Sequence, residues 1–219
     1  MIEIIPTVVP ASLLDIETAA KKYAPFARTL HIDFADGVFA PNTTWMSEGE
    51  EKFATRENFV YEAHLMVADP LNVGLKFIAV GCGRILGHIE AMQEKAGEVL
   101  AAWKSAGATE VGLGILMDTP LETLDPFISQ ANMVQMMTIS KIGVQGLPFD
   151  SRAPARVAEL HARHPNLLIA VDGSVNERTI VPLAQAGARR FCAGSVLSKS
   201  PDPEATYKRL IALAKSGLQ

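Results

Sequence analysis

The sequence predicts an α/β protein built as a single (β/α)8 TIM barrel, and three observations lead to this prediction. The chain has 219 residues, 48% of them hydrophobic, which is enough for one α/β domain with a large core. Short apolar or β-branched runs alternate with helical patterns along its length. Three segments also share one order, a helix end, a glycine turn and then a strand: FIAVGCGRIL, WKSAGATEVGL and LAQAGARRFCAG.

Eight strands are predicted from these apolar runs. In chain order they are Ile4–Val9, Thr29–Asp33, Val60–Met66, Ile85–His88, Glu110–Ile115, Met133–Ile139, Leu167–Asp172 and Arg190–Ala193. Helical spacing of apolar residues predicts helices between them, around Ile16–Tyr23, Met92–Trp103 and Tyr207–Ala214. An open doubly wound sheet is the alternative fold. The barrel is favoured because no G-x-G-x-x-G motif follows the first strand.

Composition and charge argue against several classes of protein. The net charge is −4 and no segment is densely basic, which argues against a nucleic-acid-binding protein. No apolar run is long enough to span a bilayer and no signal peptide is recognised, so we expect a cytoplasmic protein without membrane contact. No linker divides the chain, which predicts one domain over residues 1–219. Cys82 and Cys192 lie in apolar surroundings and are expected to be buried, reduced thiols.

Four candidate metal ligands lie near the carboxyl ends of predicted strands. His31 and Asp33 alternate with apolar residues in LHIDFADG, so both point to one face of the second strand. His64 lies on the third strand, and Asp172 ends the seventh. Active sites of TIM barrels form at this end. Two imidazoles and two carboxylates suit one divalent ion such as Zn²⁺, Fe²⁺, Mn²⁺ or Co²⁺. Taken singly, a histidine at a strand end is more often a hydrogen-bonded structural residue, and each aspartate could be only a cap or turn residue.

Long motifs in the right order resemble the ribulose-phosphate 3-epimerase family. LHIDFADGVFAPN is similar to the family's L-H-x-D-x-M-D-G-x-F-V-P-N, and EAHLMVADP to its H-L-M-V-x-x-P. IAVDGSV is similar to V-D-G-G-V, and AGARRFCAGSVL to the A-G-A-x-x-x-V-A-G-S ending. The resemblance covers most of the chain and implies a TIM barrel, in agreement with the strand pattern.

The resemblance implies a metal-dependent 3-epimerase of a ketose phosphate, most simply interconverting D-ribulose 5-phosphate and D-xylulose 5-phosphate. It implies that His31, Asp33, His64 and Asp172 hold the metal. Asp33 and Asp172 would also be the two acid–base groups, acting on opposite faces of the substrate through a metal-stabilised enediolate. Members of this family commonly form dimers or larger homo-oligomers, so a homo-oligomer is expected.

Further residues are expected to contact the substrate, and His88 is expected to line the site without binding metal. The loops after strands seven and eight are the usual phosphate site of barrels, so their backbone N–H groups are candidates for the phosphate. The candidate substrate-binding residues are Thr7, His64, Met66, Met137, Gly173, Ser174, Gly194 and Ser195. A Gly-Ser pair is by itself more often an ordinary turn. Methionine spacing alone is equally consistent with core filling.

The sequence departs from the family pattern at four points. Thr7 and Ala35 stand where the family has serine and methionine, and Ser174 replaces a glycine. The substitution at Ser174 is compatible with phosphate binding if its φ is negative. The family's N-P-G-F-G-G-Q loop is replaced by SKIGVQGLPF, so the segment 140–152, with Lys141, Gly143, Gly146 and Pro148, is either a lid or a variable surface loop.

Three alternative functions remain open at this point. The altered loop and Ala35 favour a related 3-epimerase acting on a hexulose phosphate such as allulose 6-phosphate. A decarboxylase of the orotidine-phosphate type is expected to carry a D-x-K-x-x-D motif, and DFADGV has no lysine there. A phosphosugar-binding protein without catalysis is the third alternative, although both aspartates are present.

Overall fold

The structure is a computed structural model that describes residues 1–140, 142 and 147–218. Eight parallel strands form a closed barrel in sequence order, and the last strand pairs with the first. The predicted (β/α)8 barrel is therefore confirmed. The strands are β1 (Glu3–Val8), β2 (Thr29–Ala35), β3 (Val60–Met66), β4 (Cys82–His88), β5 (Glu110–Ile115), β6 (Met133–Met137), β7 (Leu168–Asp172) and β8 (Arg190–Ala193).

The strand bounds agree closely with the prediction. The predicted bounds of β3, β5 and β8 coincide with the observed ones. The prediction starts β4 three residues late because Gly83 and Arg84 do not belong to an apolar run, yet Arg84 pairs with Glu110 in the barrel register. It ends β6 two residues late because the chain leaves the sheet after Met137.

Among the described residues eight α-helices lie around the barrel, but helices and strands do not alternate throughout. Residues 36–59, all of which the structure describes, connect β2 to β3 without a helix, and β5 connects to β6 through two 3₁₀ turns. Proline and glycine in 36–59 disfavour a helix there. None of the described helices is long and apolar enough to cross a membrane. The helices are α1 (Leu13–Tyr23), α2 (Pro70–Val80), α3 (Ile89–Met92), α4 (Ala96–Ser105), α5 (Ala153–Arg163), α6 (Ile180–Gln185), α7 (Ser195–Ser198) and α8 (Pro203–Ser216).

Local sequence signals explain where α1 begins and which face it buries. Ser12 is the N-cap, and its hydroxyl accepts a hydrogen bond from the backbone N–H of Asp15 at 3.3 Å. The Asp15 carboxylate in turn accepts the Ser12 N–H at 2.9 Å, which completes a capping box. The predicted apolar stripe from Ile16 to Tyr23 is buried against the barrel. In α8 the predicted residues Leu210 and Ala214 are buried, Tyr207 and Ile211 are partly buried, and Thr206 is buried in addition.

Trp103 of α4 is the largest fully buried side chain, and two glycines make room for it. A Cβ atom on Gly74 of α2 would lie 2.2 Å from the indole Nε1, and one on Gly87 of β4 would lie 3.0 Å from the ring. The indole N–H donates to the carbonyl of Leu71 at 3.4 Å. Burial of such a side chain contributes about 3 kcal/mol, so this contact fixes α2 and α4 on the barrel.

A network of buried charges fills the amino-terminal end of the barrel. Arg190 Nε donates to Glu3 Oε2 at 2.8 Å, and Arg190 also pairs with Glu110 across the barrel. Arg84 Nη1 donates to Glu3 Oε1 at 2.9 Å. Glu62 Oε2 lies 3.4 Å from Arg190 Nη1. Glu62 thereby extends the network towards the carboxyl-terminal end of the barrel. This network was not predicted from the sequence.

Candidate active site

Two histidines and two aspartates converge at the carboxyl end of the barrel, as predicted. His31 and Asp33 come from β2, His64 from β3 and Asp172 from β7. Each offers one ligand atom, and these four atoms all lie within 4.8 Å of one another. Asp33 and His64 are direct neighbours in the β2–β3 register. Alternation along the strands places all four side chains on the inner face of the barrel.

Asp33 lies between the two imidazoles. Its Oδ1 atom is 2.8 Å from His64 Nδ1 and 3.3 Å from His31 Nε2. Asp172 approaches the same nitrogen of His64, with its Oδ2 atom 3.7 Å from Nδ1. The imidazole edges and both carboxylates therefore face one small central space.

The pKa values of the two aspartates are shifted in opposite directions. Burial acts to raise the pKa of Asp33, but the adjacent imidazoles of His31 and His64 overcome it and hold that pKa well below its usual range. Burial, together with the charge of Asp33, raises the pKa of Asp172 to about 6. Of the two carboxyl groups, Asp172 accepts a proton more readily.

The outer edge of His31 is held by Glu62. Its Nδ1 atom lies 2.7 Å from Glu62 Oε1. Burial alone would lower the pKa of His31, but its neighbours raise it well above the usual value. The carboxylates of Asp33 and Glu62 cause this shift. Cys192 does not supply a charge, because burial raises the pKa of its thiol to about 12.

The donor atoms of the cluster and their hydrogen bonds indicate whether it suits a metal ion. His31 Nε2 is buried and has no hydrogen-bond partner among the described residues, and it points at the space shared with Asp33 and Asp172. A buried nitrogen without a partner is costly unless a cation or a donor completes it. Imidazole and carboxylate donors are those that divalent transition metals prefer. The four residues therefore fit one divalent ion and could bind it.

A second group of possible metal ligands lies beneath this cluster. His31, Glu62 and Cys192 also place one ligand atom each within 4.8 Å of one another. Thiolate ligation is disfavoured because the thiol stays protonated. Cys82 and Cys192 are both buried and free, as expected. The prediction that Cys192 lies in apolar surroundings is wrong. Its Sγ atom lies 3.5 Å from His31 Nδ1 and from Gln135 Oε1.

A cleft opens directly above the cluster. Most predicted substrate-binding residues line it, namely Thr7, Met66, Met137, Gly173, Ser174, Gly194 and Ser195, together with Asp33 and Asp172. The predicted contact residue His64 is fully buried below the cleft and is not among its lining residues in the described chain. Lining residues that were not predicted are Val9, Asn42, Ile139, Leu147, Val175 and Cys192.

Ser174 does not meet the backbone condition set by the sequence analysis. Its φ is +53° and that of Gly173 is +112°, so two successive residues adopt positive φ at the turn after β7. The condition of a negative φ at Ser174 is therefore not met. The side chain donates a hydrogen bond to the carbonyl of Leu147, which anchors this non-glycine residue in its left-handed conformation.

The segment after β6 contributes one wall of the cleft. Ile139 pairs with Phe149 in an isolated antiparallel bridge, and Ile139 and Leu147 both line the cleft. A Cβ atom on Gly173 would lie 2.9 Å from Ile139, so the glycine allows this close approach. Lys141, Gly143 and Gly146, on which the lid prediction depended, lie outside the described residues.

His88 lies behind the cluster rather than along the cleft. Its Nε2 atom is 2.9 Å from His64 Nε2, and its Nδ1 atom is 3.3 Å from Glu90 Oε2. Burial lowers the pKa of His88, which keeps the ring neutral. No role was predicted from the sequence for Glu62 or Glu90. One signal was present for each, since Glu62 is two residues before His64 and Glu90 is two residues after His88.

Comparisons with known proteins agree with this geometry. The sequence model of the ribulose-phosphate 3 epimerase family matches residues 3–198. The ribulose-phosphate 3-epimerase of Schizosaccharomyces pombe is 30% identical over 178 residues, covering 80% of this chain and 77% of the relative. The ribulose-phosphate 3-epimerase of Aquifex aeolicus is 30% identical over 196 residues, covering 88% and 87%.

Solved structures with low sequence identity share the fold. KGPDC from Streptococcus mutans superposes with a TM-score of 0.71 at 11% identity, over the full length of both chains. Orotidine 5'-phosphate decarboxylase from Pyrococcus horikoshii superposes with a TM-score of 0.63 at 16% identity, over 97% of this chain and 99% of that one. At these identities the likeness concerns the barrel alone.

Proposed function

Because this chain belongs to the ribulose-phosphate 3-epimerase family, a family of carbohydrate isomerases, we propose that it interconverts D-ribulose 5-phosphate and D-xylulose 5-phosphate. The observation that carries the proposal is the convergence of Asp33 and Asp172 on one space at the base of the cleft. Epimerisation next to a ketone removes a proton from one face of a carbon and delivers a proton to the other. Two separate carboxyl groups can perform these two steps.

Asp33 and Asp172 are the proposed acid–base pair. Both line the cleft, and they come from β2 and β7, so they approach a bound ligand from different sides of the barrel. In one direction the first carboxylate takes the C3 proton while the second, protonated, carboxyl group delivers one to the opposite face. The roles exchange in the reverse reaction. Burial strengthens the electrostatic interactions of both groups because water is largely excluded.

His31, Asp33, His64 and Asp172 are the proposed ligands of one divalent ion. The unpartnered His31 Nε2 and the mixed donor set support this assignment. When bound, such an ion stabilises negative charge on the substrate oxygens as a proton leaves the neighbouring carbon. Zinc, iron, manganese and cobalt all suit these donors.

The upper part of the cleft is the proposed phosphate site. Gly173 and Ser174 follow β7, and Gly194 and Ser195 follow β8, which are the positions where barrels usually bind phosphate. In α7 the N–H of Leu197 already donates to the carbonyl of Gly194, so the N–H groups of Ser195 and Val196 are the ones proposed to bind an anion. Met66 and Met137 also line the cleft, with polarizable side chains that carry no acidic proton.

A hexulose phosphate is the second candidate substrate. Ala35 is fully buried in a small cluster with Met66 and Met137, where a larger side chain would reduce the space beside the cleft. This observation favours room for a longer sugar. The metal cluster and the two carboxyl groups would serve either substrate in the same way.

Turnover of both sugars tests the proposed function. The protein is prepared with Zn²⁺, Fe²⁺, Mn²⁺ or Co²⁺ and given D-ribulose 5-phosphate or allulose 6-phosphate, and NMR follows formation of each 3-epimer. A higher kcat/KM for the pentulose phosphate supports the proposal. A higher value for the hexulose phosphate replaces the substrate assignment. Binding of both sugars without turnover under any metal contradicts catalysis and indicates a phosphosugar-binding protein.

A further inference from the structure

A buried row of three side chains leads away from His64 on the side opposite the cleft. His64 Nε2 lies 2.9 Å from His88 Nε2, and His88 Nδ1 lies 3.3 Å from Glu90 Oε2. Glu90 Oε1 accepts the backbone N–H of Leu116 at 2.9 Å, which holds the carboxylate in place. His64 and His88 are fully buried, and Glu90 is 18% exposed. Neither His88 nor Glu90 is among the described residues that line the cleft.

Counting the protons along this row assigns a tautomer to each ring. An ionised carboxylate only accepts hydrogen bonds, so the His88 nitrogen that faces Glu90 must carry the hydrogen. The other nitrogen of the neutral His88 ring is then an acceptor. His64 must therefore donate from Nε2, which leaves the lone pair of His64 on Nδ1. That atom faces Asp33 Oδ1 and Asp172 Oδ2, so a cation between them satisfies all three groups.

The protein holds the His88 ring in a close-fitting site. Gly114 is opposite His88 in the β4–β5 register, and a Cβ atom there would lie 3.2 Å from three atoms of the ring. On another side the ring of Phe39 has its centroid 5.1 Å from that of His88. Glycine at position 114 thus provides the space that the imidazole occupies. The ring orientation is set by packing as well as by hydrogen bonds.

We propose that His88 and Glu90 are positioning residues that fix His64 as the Nε2–H tautomer and thereby present its Nδ1 atom to the metal. Glu62 has the same positioning role for His31, through its direct contact with His31 Nδ1. The two imidazole ligands would then bind through different nitrogens, Nε2 of His31 and Nδ1 of His64. This inference rests on the proposed function only in taking His64 as a metal ligand. Outer partners of this kind typically change metal affinity by about 10- to 100-fold.

Three substitutions separate positioning from simple filling of space. His88→Leu removes the acceptor for His64 Nε2–H, and His88→Gln can restore an acceptor through its amide oxygen. Glu90→Gln keeps the shape but allows donation to His88 Nδ1, which would reverse the tautomers along the row. His164→Gln is the control, because His164 is a half-buried histidine whose partner is Asp125, outside the site.

The measurements are Zn²⁺ affinity by calorimetry, without sugar, and ¹⁵N histidine NMR of the Zn²⁺-loaded protein. We expect affinity to fall about 10- to 100-fold in His88→Leu and Glu90→Gln, to recover largely in His88→Gln and to stay unchanged in His164→Gln. In the wild type, ¹⁵N shifts should identify Nδ1 as the coordinating atom of His64. Coordination of the metal through Nε2 of His64, or unchanged Zn²⁺ affinity in Glu90→Gln, would overturn the inference.

The outcome is independent of catalysis, since no substrate is present. If Zn²⁺ binds as expected but no sugar phosphate is epimerised, the positioning role stands and the proposed function fails. If epimerase activity is found and Glu90→Gln binds Zn²⁺ as tightly as the wild type, the function stands and the positioning role fails. Should His88→Leu not fold, the pair Glu90→Gln and His88→Gln still decides the result.

Discussion

His31 Nδ1 lies 2.7 Å from Glu62 Oε1, on the edge of the ring that faces away from the cleft. Glu62 is itself held by Arg190, whose Nη1 atom is 3.4 Å from Glu62 Oε2. The charged network at the amino-terminal end of the barrel is thus connected to a candidate metal ligand. It directs the Nε2 atom of His31 towards Asp33.

The first prediction concerns Glu62. Glu62→Gln keeps an acceptor for His31 Nδ1 but removes the charge, so Zn²⁺ affinity should fall by about 10-fold. Glu62→Leu also removes one of the carboxylates that pair with the buried Arg190, which should lower the free energy of unfolding by about 3 kcal/mol or more. Calorimetry and urea denaturation measure the two effects, with exposed Glu98→Gln as the control. Equal Zn²⁺ affinity in all three variants and the wild type would contradict this role.

The second prediction is a pH effect in metal-free protein. The pKa of Asp172 is raised to about 6, against about 4 in an unfolded chain, so the folded state binds more protons between these values. The stabilising contribution of protonated Asp172 is present below pH 4 and is lost as the pH rises through 6. Asp172→Asn cannot ionise, so its stability relative to the wild type should increase from pH 4 to 6. Urea unfolding at several pH values measures this, and a constant difference would refute it.

The third prediction concerns the packing of α2 against α4. Gly74→Ala places a methyl group against the fully buried Trp103, and we expect the free energy of unfolding to fall by about 1–3 kcal/mol. Gly97→Ala in α4 is a matched control, since its new methyl group would meet only the exposed side chain of Gln130. Higher helix propensity should make that variant neutral or slightly more stable. Equal urea midpoints for the two variants would show that the indole moves freely.

The fourth prediction separates the two features of Ser174. Ser174→Ala keeps the positive φ but loses the hydrogen bond to Leu147, so it should be destabilised by about 1 kcal/mol and should bind sugar phosphate more weakly. Ser174→Gly loses the same bond but relieves the backbone cost of the left-handed conformation. Its stability should therefore exceed that of Ser174→Ala. Thermal unfolding compares the two, and the reverse order would contradict this account of the turn.

The barrel and the central cluster could be predicted from the sequence because both depend on local patterns. Alternation along one strand places His31 and Asp33 together, and the ends of parallel strands meet at one edge. The charged network could not be predicted in this way. Arg190 and Glu110 are 80 residues apart and meet only across the closed barrel. Which groups pair there depends on register, which a single sequence does not specify.

The row from His64 to Glu90 was missed for a different reason. His88 was expected to line the site because it ends a strand, as the other candidates do. The structure places its ring behind His64, in space left by Gly114. Because Gly114 on β5 has no side chain, the ring of His88 on β4 can occupy the space beside it. Such a relationship becomes visible only when the pairing of β4 with β5 is known.

Exchange of the C3 proton in D₂O tests the central claim most directly. Metal-loaded wild type, Asp33→Asn and Asp172→Asn are incubated with D-ribulose 5-phosphate, and NMR follows deuterium at C3 and formation of D-xylulose 5-phosphate. The account predicts deuterium incorporation with epimer formation in the wild type, and a loss of about 100-fold or more in each variant. Epimer formation without deuterium, or undiminished exchange in both variants, would contradict proton transfer by these two aspartates.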